Sequence, residues 1–70
     1  MIEQKDLDNR FTYHTPKSGQ PEKYVALRAK AKEFAALIVA LTPSSREQSL
    51  SITHLEEASF WANASIARNE

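Results

Sequence analysis

The sequence predicts an all-α protein: a short N-terminal helix and an extended arm, followed by an antiparallel two-helix hairpin, assembled into an oligomeric helical bundle. Three observations lead there. Apolar residues recur at spacings of three and four over two long stretches, residues 21 to 41 and 45 to 67, which is the period of amphipathic helices and not of strands. Two proline-bearing joints, Thr15-Pro16-Lys17-Ser18-Gly19-Gln20-Pro21 and Leu41-Thr42-Pro43-Ser44, divide the chain into three segments. Finally, 70 residues without a cysteine make one small domain that buries only about 60% of the surface its unfolded chain exposes, so it is expected to borrow core from other subunits.

In the first segment, residues 1 to 18, Lys5 to Arg10 reads as a short helix. Phe11-Thr12-Tyr13-His14 then alternates apolar and polar before Pro16 disfavours helix, which reads as an extended arm. An arm carrying two aromatics beside Arg10, His14 and Lys17 has little reason to be ordered alone, and the expectation is that it packs on a helix hairpin, its own or a neighbour's.

The middle segment, residues 21 to 41, opens with Pro21, whose missing N–H costs nothing at a helix start, and with Glu22, which complements the helix dipole. Tyr24, Leu27, Ala31, Phe34, Ile38 and Leu41 make its apolar stripe, along a helix about 30 Å long. Ala26, Ala29, Ala36 and Ala40 form a second, small-residue face. The plain reading is that alanine is a good helix former; the sharper one is a helix of another subunit packed there, and the shortness of the chain favours it.

Thr42-Pro43 ends that helix, and Ser44-Ser45-Arg46-Glu47 offers a capping box between Ser44 and Glu47. The last helix, 45 to 67, has Leu50, Leu55, Ala58, Trp61, Ala62 and Ile66 as its main stripe, with Ile52 and Phe60 pointing elsewhere. Trp61 on that stripe reads as core and not as a ligand platform. The short joint makes the two long helices antiparallel neighbours.

Nine basic and nine acidic residues cancel, and the pI is near 6.7. That argues against a binder of duplex nucleic acid or of anionic membrane, which carries a clustered basic excess, and leaves a small anionic ligand open. No run approaches the roughly 18 apolar residues of a spanning helix, and the start is too polar for a secretory signal, so the expected location is cytosolic. The lack of cysteine agrees with that compartment without proving it.

Catalytic motifs are weak. His54-Leu55-Glu56-Glu57 places a histidine and a carboxylate on adjacent helix turns, but di-iron sites use Glu-x-x-His with further carboxylates from facing helices, so the segment reads as an ordinary polar face and no metal or cofactor is expected. The single Gly19 rules out a glycine-rich phosphate loop and no nucleophile elbow surrounds the serines. Asn63-Ala64-Ser65 matches a glycosylation acceptor only formally, inside a predicted helix. Recognition of an anion and a base reads better. Lys23 and Lys30 lie on one flank of the first long helix's stripe, Arg28 and Lys32 on the other, with Tyr13 and His14 just upstream. A tyrosine offers a face for a base to stack on, and an arginine a planar fork for phosphate oxygens. The commoner outcome for such residues is solvated lysines and a core tyrosine, and for Arg68 a favourable contact with the helix C-terminal dipole.

The wording of the chain carries more than its periodicity. Asn9-Arg10-Phe11-Thr12-Tyr13-His14, Gln20-Pro21 with Tyr24 and Arg28, Lys30-Ala31-Lys32-Glu33-Phe34-Ala35, Pro43 with Ser45-Arg46-Glu47 and Ser49-Leu50, and Leu55-Glu56-Glu57-Ala58 followed by Trp61-Ala62-Asn63-Ala64-Ser65-Ile66-Ala67-Arg68 resemble the small phage anti-CBASS nucleotide-sponge family, the second anti-CBASS protein type. The resemblance runs from Asp8 to Asn69. It implies a compact helical homohexamer acting in the cytoplasm of an infected bacterial host, where it evades immunity by sequestering cyclic oligonucleotide second messengers away from CBASS effectors without breaking a bond. It implies cyclic dinucleotide pockets between subunits, for ligands such as 3',3'-cyclic GMP-AMP, and separate cyclic trinucleotide sites near a three-fold axis, for ligands such as cyclic tri-AMP. Tyr13 matches the family's stacking tyrosine and Arg28 its phosphate-binding basic residue, with Lys30 a nearby alternative and His14 beside the tyrosine. Arg68 matches the basic residue of the trinucleotide site, and Asn63 receives no assignment.

Without the resemblance, the residues favour a small helical oligomerisation or adaptor module with a protein partner. A cyclic-nucleotide hydrolase lacks its catalytic constellation, and a nucleic-acid-binding regulator lacks the charge.

Overall fold

The computed structural model describes residues 1–70 and contains three helices and no strand, α1 (Gln4–Phe11), α2 (Gln20–Leu41) and α3 (Arg46–Asn69). At the start of α1 the Asp6 carboxylate accepts the Glu3 N–H at 3.0 Å, covering a donor next to those a helix N-terminus leaves unpaired. Past Phe11 the backbone becomes extended at Thr12, φ −104° and ψ 141°, as the alternating pattern and Pro16 require.

The entry to α2 is a tight turn. The Gln20 N–H donates to the Lys17 carbonyl at 3.0 Å, and Gly19 takes φ 85° and ψ −16°, the third position of a type II turn. A Cβ on Gly19 would meet nothing within 4 Å, so backbone conformation, not space, calls for glycine there. The turn starts the helix at Gln20, one residue before the expected 21, and puts Pro21 second in the first turn, where its lack of an N–H is still harmless.

The joint between α2 and α3 differs from the expected capping box. Ser45, not Ser44, is the N-cap, its Oγ accepting the Gln48 N–H at 3.1 Å. Gln48 Nε2 reaches back to the Thr42 carbonyl and Oγ1 at 3.1 and 3.0 Å, while Thr42 Oγ1 closes α2 on the Ile38 carbonyl at 2.7 Å. One glutamine thus staples the end of one helix to the start of the next, and α3 runs from 46 to 69 instead of 45 to 67.

α2 and α3 pack against each other along a thin seam. On α2 it follows Tyr24, Ala31, Ala35 and Ile38, all half-buried; on α3 it follows Ile52, Leu55, Ser59, Asn63 and Ile66. Ile52, expected to point elsewhere, therefore faces α2. Leu50 and Trp61, expected on the main stripe, point outward, and Trp61 is 67% exposed. A helix with two apolar faces can put only one of them against a single neighbour, and here the narrower face with its small and polar residues is taken. Ser59 is accommodated by donating its hydroxyl to the Leu55 carbonyl at 3.1 Å.

The result is a plate and not a globule. Its extents are 45 × 31 × 14 Å, and the short dimension is about one helix diameter. The radius of gyration is 15.4 Å, against about 11 Å for a compact chain of this length. No apolar side chain is buried; Phe11, Phe34, Leu37, Val39, Leu41 and Phe60 all lie open. The accessible surface, 5803 Å², exceeds by about 1,400 Å² what a compact monomer of this mass presents. The expected packing of the arm on its own hairpin is not seen for Phe11 and Tyr13, which are both exposed.

Candidate functional site

Tyr13 sits on the extended arm between α1 and α2, 81% exposed and without a hydrogen bond. Its neighbour His14 is half-buried, its Nε2 donating to the Asn9 carbonyl at 2.7 Å. That carbonyl is among the last four of α1, which have no partner within the helix. His14 therefore caps α1 and folds the arm back on it through one ring nitrogen.

Arg28 projects from α2 over the α2–α3 seam. It lines two shallow, open concavities on the same side: one with Tyr24, Asn63, Ala64 and Ala67, the other toward Lys32, Ile52 and Glu56. Neither is lined by Tyr13. The guanidinium takes part in none of the three ion pairs, which join Lys5 to Glu3, Lys23 to Glu70 and Lys30 to Glu33. An arginine left without a carboxylate on a concave surface is available to an anionic ligand.

Lys30 occupies the opposite side. Two residues along a helix is about 200° around it, and Lys30 lines an apolar trough with Leu27, Phe34, Ala58 and Ala62. Its ammonium is 3.4 Å from Glu33. Arg28 and Lys30 of one chain cannot serve one pocket. Arg68, half-buried in the last turn of α3, lines a third hollow with Trp61, Ala64, Ser65 and Asn69, while retaining a favourable position at the helix C-terminus.

One polar atom escaped the sequence reading. The Oδ1 of Asn63 is buried and without a partner, in the concavity it shares with Arg28. A lone acceptor out of water is costly unless something donates to it. The sequence signal was a polar residue at a seam position of α3, three turns after Ile52. No group of three or more histidine, cysteine or carboxylate side chains converges anywhere to hold a metal ion.

The pieces define a single-layer helical hairpin that displays an aromatic arm and an unpaired arginine on open surfaces, which is the construction of a binding protein. The sequence model of the Acb2/Tad1 hairpin domain matches residues 3–67, nearly the whole chain, and the chain belongs to that family, the anti-CBASS cyclic-oligonucleotide sponges, which bind and do not catalyse. No curated protein and no solved structure matches it.

Proposed function

We propose that this chain assembles with copies of itself, as a homohexamer, into a counter-defence sponge that holds cyclic oligonucleotides between subunits and releases them unaltered, in the cytoplasm of an infected bacterial host. Cyclic dinucleotides such as 3',3'-cyclic GMP-AMP occupy pockets where Tyr13 of one copy meets Arg28 of another; cyclic trinucleotides such as cyclic tri-AMP bind separately near Arg68. The observation that carries the reading is the family match combined with an incomplete single chain. The excess exposed surface of about 1,400 Å² is comparable to or larger than the roughly 800 Å² that each partner buries in a stable interface. No helix is long and apolar enough to cross a membrane.

Roles follow from the chemistry. The Tyr13 ring stacks on a base, and the Arg28 guanidinium grips a phosphate, more strongly as burial between subunits lowers the dielectric. His14 holds the arm, and Lys30, facing away from Arg28, reaches a pocket only from another copy. A two-fold arrangement presents paired cations to a pseudo-symmetric cyclic ligand. The test is to mix protein with 3',3'-cyclic GMP-AMP, filter, then heat the retained fraction and chromatograph what it releases. Depletion with intact recovery is expected; depletion without recovery means an enzyme, and no depletion of either ligand class, with a protein co-purifying, means an adaptor.

A further inference from the structure

Gln20 stands apart from every other residue: it is 4% exposed, and nothing else in the chain is buried. Glutamine is ordinarily a surface residue, so its burial in a chain with no buried apolar group asks for a cause, and its partners supply one. Its Oε1 accepts the Lys17 N–H at 2.9 Å. Its Nε2 faces the Ile66 carbonyl and Glu70 Oε1, each at 3.5 Å, long contacts at the edge of hydrogen bonding. Two lysines close the same junction from either side. Lys17 Nζ donates to the main-chain oxygen of Glu70, and Lys23 Nζ to Glu70 Oε2 at 2.6 Å. The loop that ends the arm, the first turn of α2 and the last turn of α3 thus meet in one polar clasp around a single amide.

We infer that this clasp sets the pose of the arm, and that Gln20 is thereby a positioning residue for Tyr13; the second half rests on the reading of Tyr13 as a stacking residue given above. Tyr13 has no hydrogen bond of its own, so its place is fixed by what brackets it. Immediately after it, His14 ties the arm back to the end of α1. Downstream, the type II turn at Gly19 and the reciprocal pair between Lys17 and Gln20 return the chain to the hairpin. A stacking side chain on a free tether is ordered only when ligand arrives, which lowers affinity; one already held in place avoids that loss.

The Lys17–Ser18 peptide bond reports on the clasp, because trypsin must extract the Lys17 side chain from Glu70 to cut there. The Arg10–Phe11 bond in the same molecule is the internal reference. Gln20→Ala removes every amide contact, whereas Gln20→Glu keeps an acceptor for the Lys17 N–H and loses the link to α3. Both are expected to speed cleavage after Lys17 roughly three- to tenfold, the range for lost hydrogen bonds, with cleavage after Arg10 unchanged. Affinity for 3',3'-cyclic GMP-AMP should fall by a similar factor at constant helix content by circular dichroism. Wild-type cleavage ratios in both variants would overturn the clasp, and a loosened arm with wild-type affinity would overturn the positioning role. Should either variant fail to fold, Glu70→Gln at the end of α3 is read in the same way. A wild-type protein that binds no cyclic dinucleotide removes the positioning role together with the stacking reading, while the cleavage ratio still decides the clasp.

Discussion

Lys23 and Glu70, 47 residues apart in the chain, meet with Nζ 2.6 Å from Oε2, the one ion pair of the three that joins distant parts of the chain. The Lys23 hydrogen bond, helped by Gln20 and by the charges of Lys23 and Lys17, holds the Glu70 carboxyl below the usual glutamate range, against a smaller opposing effect of desolvation. A depressed carboxyl stabilises the fold above its ordinary pKa, about 4.3, and that contribution is lost as pH falls through the lower folded value. The pair should therefore be intact at neutral pH and part only in acid. An NMR titration of the Glu70 side-chain carboxyl with a midpoint at or above the ordinary value would contradict this.

Arg28 and Lys30 should respond differently to alanine. Because they flank opposite sides of α2, Arg28→Ala is expected to weaken cyclic dinucleotide binding by about 1 to 3 kcal/mol, the range for a lost charged hydrogen bond, as is Tyr13→Ala through a lost stack. Lys30, exposed and already near Glu33, should cost within about 0.5 kcal/mol. Calorimetric titration of the three variants decides; equal losses at Arg28 and Lys30 would place both in one pocket.

Arg68→Ala should damage cyclic trinucleotide binding and spare cyclic dinucleotide binding, since its hollow is lined from α3 alone and excludes Arg28. Loss of both ligands together would mean the two sites are not separate.

Trp61 is the only tryptophan and is largely exposed in the single chain. In an assembly that covers the outward face of α3 its emission should be blue-shifted, and it should move red on dilution in step with falling mass by light scattering. A red-shifted spectrum at every concentration, with monomer mass, would refute self-assembly.

Ser45→Ala should cost about 1 kcal/mol through the lost N-cap, and Ser44→Ala close to nothing. Gly19→Ala should cost about 1 to 2 kcal/mol, the strain of holding an ordinary residue at positive φ. Denaturant midpoints measured at one protein concentration test all three.

The number, order and approximate limits of the helices could be read from the sequence, because prolines at 16, 21 and 43 and a 3.6-residue apolar period act locally. The seam could not. α3 carries two apolar faces, and periodicity does not tell which meets α2, so Trp61 was expected inside and Ile52 outside. The choice of cap was equally open: Ser44 with Glu47 and Ser45 with Gln48 fit the same pattern, and the tie is broken by Gln48 reaching Thr42. Gln20 gave no local sign at all, since its burial comes from Ile66 and Glu70 at the far end of the chain. For the site, Tyr13, Arg28 and Arg68 stood out by residue type, while Asn63 emerged only once the seam was known.

A plate 14 Å thick with no buried apolar side chain has little stability to call on alone, and where folding is coupled to association, stability grows with the concentration of protomers. Dosage then has a threshold. Under the proposed self-assembly, chains below it stay as open plates exposed to proteolysis, and above it they gather into assemblies with shared pockets. Under that assembly, half the dose yields far less than half the binding capacity.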